Sequence, residues 1–394
     1  MKKIILFLSI VTTINLAKAQ FVSINNGMTS FFVTSIATDG KNTFAGTLSS
    51  SDVFLSTNNG ISWTAVDSGL KTNTNTIYSL AINGSNVFAG TSDGMYLSSN
   101  KGSFWSEVNN GFPTYKPVQA IAISGNNIFA GTELGGVFLS TNNGSKWTAK
   151  NNGLTNLNVK ALAINGANIF AGTENGIFLS TDNGANWTTV VNGLTIPSIT
   201  SLAISGNNIF AGTAGGGVYL STNNGSNWSA VNNGLIPSGI YIFSLTVSGT
   251  NIFAGGSGKV FFSNNNGSSW VDISNGLPVA YWVSSLATNG IDIFAGTRGG
   301  GIFKRALSQL GVNEIASNNF LDIYPNPSSG NFTLTANKYI NQGQIFIYNV
   351  LGNKMYSSEI NGNSKLIDCK LEEGVYFVIL KDGKQTWTNK LVRK

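Results

Sequence analysis

The sequence predicts an all-β protein: a seven-bladed β-propeller with four antiparallel strands per blade, followed by a small β-sandwich. The phrase Ser-x-Asn/Asp-x-Gly-x-x-Trp recurs six times, ending at Trp63, Trp105, Trp147, Trp187, Trp228 and Trp270, in steps of 40 to 42 residues. A period near forty marks one supersecondary unit copied down the chain. A shorter element, Phe-Ala-Gly, recurs seven times, at Phe44, Phe88, Phe129, Phe170, Phe210, Phe253 and Phe294. With 47 glycines and repeated Asn-Gly steps, the chain is punctuated too often for a helical repeat.

The chain opens on an address. Lys2 and Lys3 precede an apolar run from Ile4 to Leu16, and Ala17-Lys18-Ala19 forms a small-x-small cleavage site before Gln20. Residues 1–19 therefore read as a signal peptide, and no later segment approaches the ~20 apolar residues of a membrane span. Unit three displays the repeat most clearly. Ala120–Ser124, Asn127–Thr132, Val137–Ser140 and Trp147–Lys150 are four short runs rich in Ile, Phe, Val and Thr, bounded by Gly and Asn turns. We label these strands a to d. Strands b and c are almost continuously apolar, as expected where neighbouring sheets cover both faces. The unit around Phe294 lacks its d strand, while Phe21-Val-Ser-Ile-Asn-Asn-Gly-Met28 matches Trp63-Thr-Ala-Val-Asp-Ser-Gly-Leu70 in character. The N-terminal strand is thus expected to close the last blade and to remove an exposed edge. The propeller is assigned to residues 20–306.

Composition narrows the chemistry. Net charge is +6, yet residues 20–306 hold 9 Lys and 2 Arg against 10 acids. So even a body shows no basic stripe, and nucleic acid is not an expected partner. The chain has no His and one Cys, which excludes Ser-His and Cys-His nucleophile pairs, His-ligated zinc and an internal disulfide. No cofactor or metal is expected, and any hydrolysis would rest on carboxylates. Cys369 reads as a small buried apolar residue.

The repeated phrase, Ser140-Thr-Asn142-Asn-Gly144-Ser-Lys-Trp147 in unit three, resembles the Asp-box or BNR repeat of sialidases, sortilin-type receptors and other propellers. Its Asn or Asp can satisfy backbone groups within its own turn, and its Trp buries a large surface. Asn58, Asn100, Asn142, Asp182, Asn223 and Asn265, with the six tryptophans, are therefore expected to be scaffold. The boxes fall on c–d turns, opposite the b–c and d–a loops, and the resemblance implies that ligands bind on that second side. There the b–c loops place Asp93, Glu133 and Glu174 on three consecutive blades, a possible carboxylate pair for a glycosidase. Arg298 stands on another blade. The d–a segments bring aromatics suited to stacking on sugars or holding a peptide. Tyr281, Trp282, Tyr241 and Tyr115, together with Arg298, are the ligand candidates, whereas Phe32 and Tyr78 are expected to fill the central channel. A sialidase would need an arginine triad, which Arg298 and Arg305 alone cannot supply.

Composition changes after Arg305. Residues 307–318 form a polar linker, and residues 319–394 carry Leu321-Asp-Ile-Tyr-Pro-Asn-Pro, Ile345-Phe-Ile-Tyr-Asn-Val-Leu-Gly352 and Leu371-Glu-Glu-Gly-Val-Tyr-Phe-Val378. This stretch resembles the type A C-terminal sorting domain of the type IX secretion system of Bacteroidota. The resemblance implies engagement of that machinery, export across the outer membrane, removal of the tail, and release or attachment at the cell surface. The function expected is a binding module that engages an extracellular glycan or protein through the b–c and d–a face. The alternative is a carboxylate-dependent glycoside hydrolase or lyase acting on an extracellular polysaccharide; an assembly factor is a third reading.

Overall fold

The computed structural model describes residues 20–393 except 49–51, 72–75, 116, 237–239, 311–320, 325, 327 and 384. The signal-peptide segment 1–19 and residues 311–318 of the linker lie outside the described residues. The chain divides into two compact units, residues 1–311 and 312–394.

The first unit is a seven-bladed propeller. In the third blade strand a is Val118–Ser124, b Asn127–Thr132, c Gly136–Ser140 and d Thr148–Ala149, paired in sheet order a-b-c-d. The last blade takes a, b and c from Val283–Thr288, Asp292–Thr297 and Gly301–Ala306, and its outer strand from Val22–Ser23. Val22 pairs with Lys304 and Ser23 with Phe303, antiparallel, so the N-terminal strand closes the ring as the sequence predicts.

The packing explains the repeats. Phe129 of blade three clusters with Val159, Ile169, Phe178 and Trp187 of blade four, so the apolar core lies in the seams between blades. The glycine of Phe-Ala-Gly keeps the seam thin. A Cβ on Gly131 would sit 2.6 Å from Val159 Cγ1 of the next blade, and one on Gly296 2.6 Å from Val33 Cγ1. The seams are also latched by backbone. The Trp147 N–H donates to Asn110 O of the preceding blade at 2.8 Å, and the pattern runs round to Phe21 N–H on Asn275 O at 2.7 Å.

Each of the six repeated tryptophans adds a second latch, its indole N–H donating to a carbonyl of the preceding blade. Trp147 reaches Val108 O at 2.8 Å and Trp270 reaches Val231 O at 2.6 Å. In the last blade the equivalent residue is Phe21, which has no such donor. The equivalent carbonyl, Ile273 O, instead accepts from Arg305 Nη1 at 2.8 Å, and Arg305 is buried. A buried carbonyl without a donor would cost free energy, so the arginine compensates for the missing indole.

The second unit is a nearly closed, sandwich-like sheet. Its central strand, Phe332–Asn349, pairs along one edge with Lys354–Ile367. Its other edge is shared by Leu321–Tyr324 early in the strand and Gly374–Asp382 late in it, and Gly374–Asp382 also pairs with Gln385–Arg393. Ile345, Ile347, Val378, Leu380 and Leu391 form its core. Cys369 packs half-buried against that core, and burial pushes its thiol above the usual range.

Candidate functional site: one loop face of the propeller

The c–d turns are occupied by their own geometry. Ser140 Oγ donates to Asn142 Oδ1 at 2.9 Å and accepts from Gly144 N at 2.9 Å, while Asn142 Oδ1 accepts from Lys146 N at 3.0 Å. The same bonds recur at Ser56–Asn58, Ser98–Asn100, Ser180–Asp182, Ser221–Asn223 and Ser263–Asn265. Asn143 takes φ 53°, a left-handed conformation that Asn tolerates better than most residues. The six tryptophan rings are buried. The turn bonds tie the serine hydroxyl and the Asn or Asp side-chain oxygen of each turn to the turn itself.

The opposite face gathers the b–c and d–a loops. Each strand a begins beside the end of strand b, and backbone bonds join the two loops: Glu133 N to Pro117 O, Arg298 N to Trp282 O, Leu48 N to Phe32 O. Loops also bridge blades. Ser257 pairs with Trp282 of the next blade, and Arg298 pairs with Phe32.

On this face blades six and seven carry a ladder of planar groups. Tyr241 and Phe243 stack with centroids 6.2 Å apart and planes 26° apart; Phe243 and Trp282 stack at 5.2 Å and 18°. The Arg298 guanidinium lies over Trp282, 5.6 Å from its centroid. Tyr241 is 49% exposed, Trp282 48% and Phe32 50%. Phe32 and Tyr78, expected to fill the channel, are instead exposed. Phe32, Tyr241 and Trp282 all occupy the position one residue before strand a. Tyr281 differs from its neighbour: its ring lies on the backbone of the Gly299–Gly300 turn, where a Cβ on Gly300 would meet Tyr281 Cδ2 at 2.9 Å. It packs the turn that presents Arg298. Phe243 escaped the sequence reading. Its signal was available at the second residue of strand a, an aromatic in the sixth blade and in the second (Tyr78), where the other blades have Thr34, Gln119, Lys160, Thr200 and Ser284.

The acidic arc occupies blades two to four, and each carboxylate has a partner. Asp93 lies 2.6 Å from Lys71, which also reaches Glu107 at 3.1 Å; these two acids hold the Lys71 ammonium above its usual range. Glu133 accepts from the Tyr115 hydroxyl at 2.8 Å and pushes that phenol upward. Glu174 lies 2.7 Å from Lys160, whose hydrogen bond and charge hold its carboxyl below the usual range. The sequence placed these acids on adjacent blades but did not show their partners.

Comparison with known proteins bears on each unit separately. Residues 322–394 match the family model of a secretion system C-terminal sorting domain. The tail is an export address. It directs the chain through the type IX secretion system to a secreted or cell-surface location and implies contact with that machinery. No helix among the described residues is long and apolar enough to cross a membrane. An endo-acting ulvan lyase of Formosa agariphila is 39% identical over 82 residues, which is 20% of this chain and 15% of that enzyme. A match of that length cannot span the propeller. Among solved structures, PorZ, described as an essential surface component of the type IX secretion system of Porphyromonas gingivalis, aligns with TM-score 0.61 at 14% identity, over 94% of this chain and 60% of PorZ. YCF48 bound to a D1 peptide aligns with TM-score 0.58 at 14% identity, over 74% of this chain and 96% of that one. At such identities these likenesses establish the fold.

Proposed function

We propose that this protein is a secreted or surface-attached binding module that engages an extracellular ligand through the b–c and d–a loop face. The observation that carries the reading is the ladder Tyr241–Phe243–Trp282–Arg298, half-exposed and built from adjoining blades. Exposed rings on a rigid scaffold offer a large apolar area with little entropy to lose on binding. A contiguous exposed apolar patch on a soluble surface marks an interaction site. The turn bonding of the repeated phrase supports its reading as an Asp-box, a scaffold on the far side.

The alternative, a carboxylate-dependent hydrolase or lyase using two of Asp93, Glu133 and Glu174, is the weaker reading. A general acid must hold its proton near neutral pH. Glu174 is held in the opposite direction by Lys160, and Asp93 is held close to Lys71. Binding of the full chain to immobilised polysaccharides and to cell-surface protein fractions, scored together with released oligosaccharide, tests the two. Retention without product, weakened about tenfold or more by Trp282→Ala, is the expected result. Product release abolished by Glu133→Ala or Glu174→Ala would replace the binding reading with the enzymatic one.

A further inference from the structure

We infer that the ligand of this platform is an acidic polysaccharide, a chain of uronate sugars whose carboxylate is taken by Arg298. The inference rests on the binding-module reading and adds the ligand class.

Among the described residues, charge separates the platform from the rest of the face. Lys71, Lys160 and Lys259 are each bound to acids: Asp93 and Glu107, Glu174, and Asp272 at 2.5 Å. Arg298 is exposed and has no acidic partner among the described residues. It is also held in place. Its amide donates to Trp282 O at 2.9 Å, its backbone pairs with Phe32 of the first blade, and its guanidinium rests on the Trp282 ring. No hydrogen bond from this guanidinium is found among the described residues, so its N–H donors keep the fork that matches a carboxylate with two parallel hydrogen bonds. A cation fixed before binding loses less freedom when the anion arrives.

The surroundings favour a sugar chain over an acidic peptide. Planar groups follow one another at 5.2 to 6.2 Å along the ladder, forming a corrugated apolar strip. The b–c turn that carries Arg298 is only residues 298–300, so it raises no wall around a side-chain anchor. A shallow strip of rings with one forked cation suits pyranose faces lying across it, with a carboxylate at the end.

The test is affinity electrophoresis of the full chain in gels containing polygalacturonate, its carboxyl-reduced neutral form, dextran sulfate or polyglutamate. Polygalacturonate is expected to retard the protein, and the reduced polymer to do so at least ten times more weakly. Arg298→Ala should bring polygalacturonate down to the neutral level, with Arg298→Lys between, because an ammonium lacks the fork. Trp282→Ala should weaken retention by both forms. Unchanged thermal midpoints would show that these exposed substitutions leave the fold intact. Equal retention by the neutral polymer, or indifference to Arg298→Ala, would remove the carboxylate from the recognition while Trp282 dependence kept the platform standing. Polyglutamate or dextran sulfate retarding the protein as well as polygalacturonate does would overturn the uronate assignment. Retention by polygalacturonate that survives both substitutions, or no retention at all, would overturn the uronate assignment; the former would also remove the platform.

Discussion

At Ile273 O a single carbonyl shows how closely residue identity is tied to the repeat. In six blades a tryptophan indole supplies the interblade donor; in the seventh Phe21 cannot, and Arg305 does. Arg305→Met should therefore lower unfolding free energy by about 1–3 kcal/mol, the cost of a buried polar group left without its partner. Adding Phe21→Trp to that variant should recover part of the loss. The check is a double-mutant cycle in chemical denaturation, in which a coupling of zero would show that the two side chains do not share the carbonyl. The exchange could not be read from the sequence alone. Arg305 lies near one end of the propeller sequence and Phe21 near the other, and only ring closure brings them to one carbonyl. The ladder was partly legible for the same reason in reverse. Trp282 and Tyr241 were readable from their d–a positions, whereas Phe243 becomes a member only because the sixth and seventh blades face each other.

Among the elements, strand b is the one that sets blade spacing. Its glycine admits the next blade's strand a, with Gly131 beside Val159. Gly131→Val should cost about 1–3 kcal/mol through overpacking, read as a lower thermal midpoint. Gly125→Ala, at a strand a–b turn with nothing within 4 Å of an added Cβ, is the control for backbone strain at positive φ (59°). The closing strand offers a sharper test. Deleting residues 20–28 removes Phe21 from the last seam and exposes the edge of Gly301–Ala306. The deletion should lower the unfolding midpoint and promote aggregation through that edge. An unchanged midpoint would mean that the N-terminal strand contributes nothing to closure.

For the whole molecule, pH dependence follows from the titratable inventory. No histidine is present, so no side chain with an ordinary pKa changes charge between about pH 5 and 8. Several carboxylates are held below their usual range. For Asp272, burial acts to raise the pKa, but hydrogen bonds from Lys259 and Ser274 outweigh it. Glu107 is lowered by Asn109 and then Lys71, and Glu174 by Lys160. A lowered folded-state pKa stabilises the fold above the unfolded value of about 4, and that contribution is lost as pH falls through the folded value. Thermal midpoints should thus be level from about pH 8 to 5 and decline below about pH 4. A transition near pH 6 would contradict this inventory.

The sequence by itself determined the blade number, the strand order within each blade, the closing role of residues 21–28 and the sorting tail. These depend on local periodicity and turn chemistry, which each repeat states afresh. The tertiary structure alone decided which loop residues meet. A propeller is closed by bonds between chain ends and between successive blades, so its face is assembled from positions some forty residues apart. That assembly paired Asp93, Glu133 and Glu174 with Lys71, Tyr115 and Lys160, laid Tyr281 on a glycine turn, and left Arg298 on Trp282 with its N–H fork open.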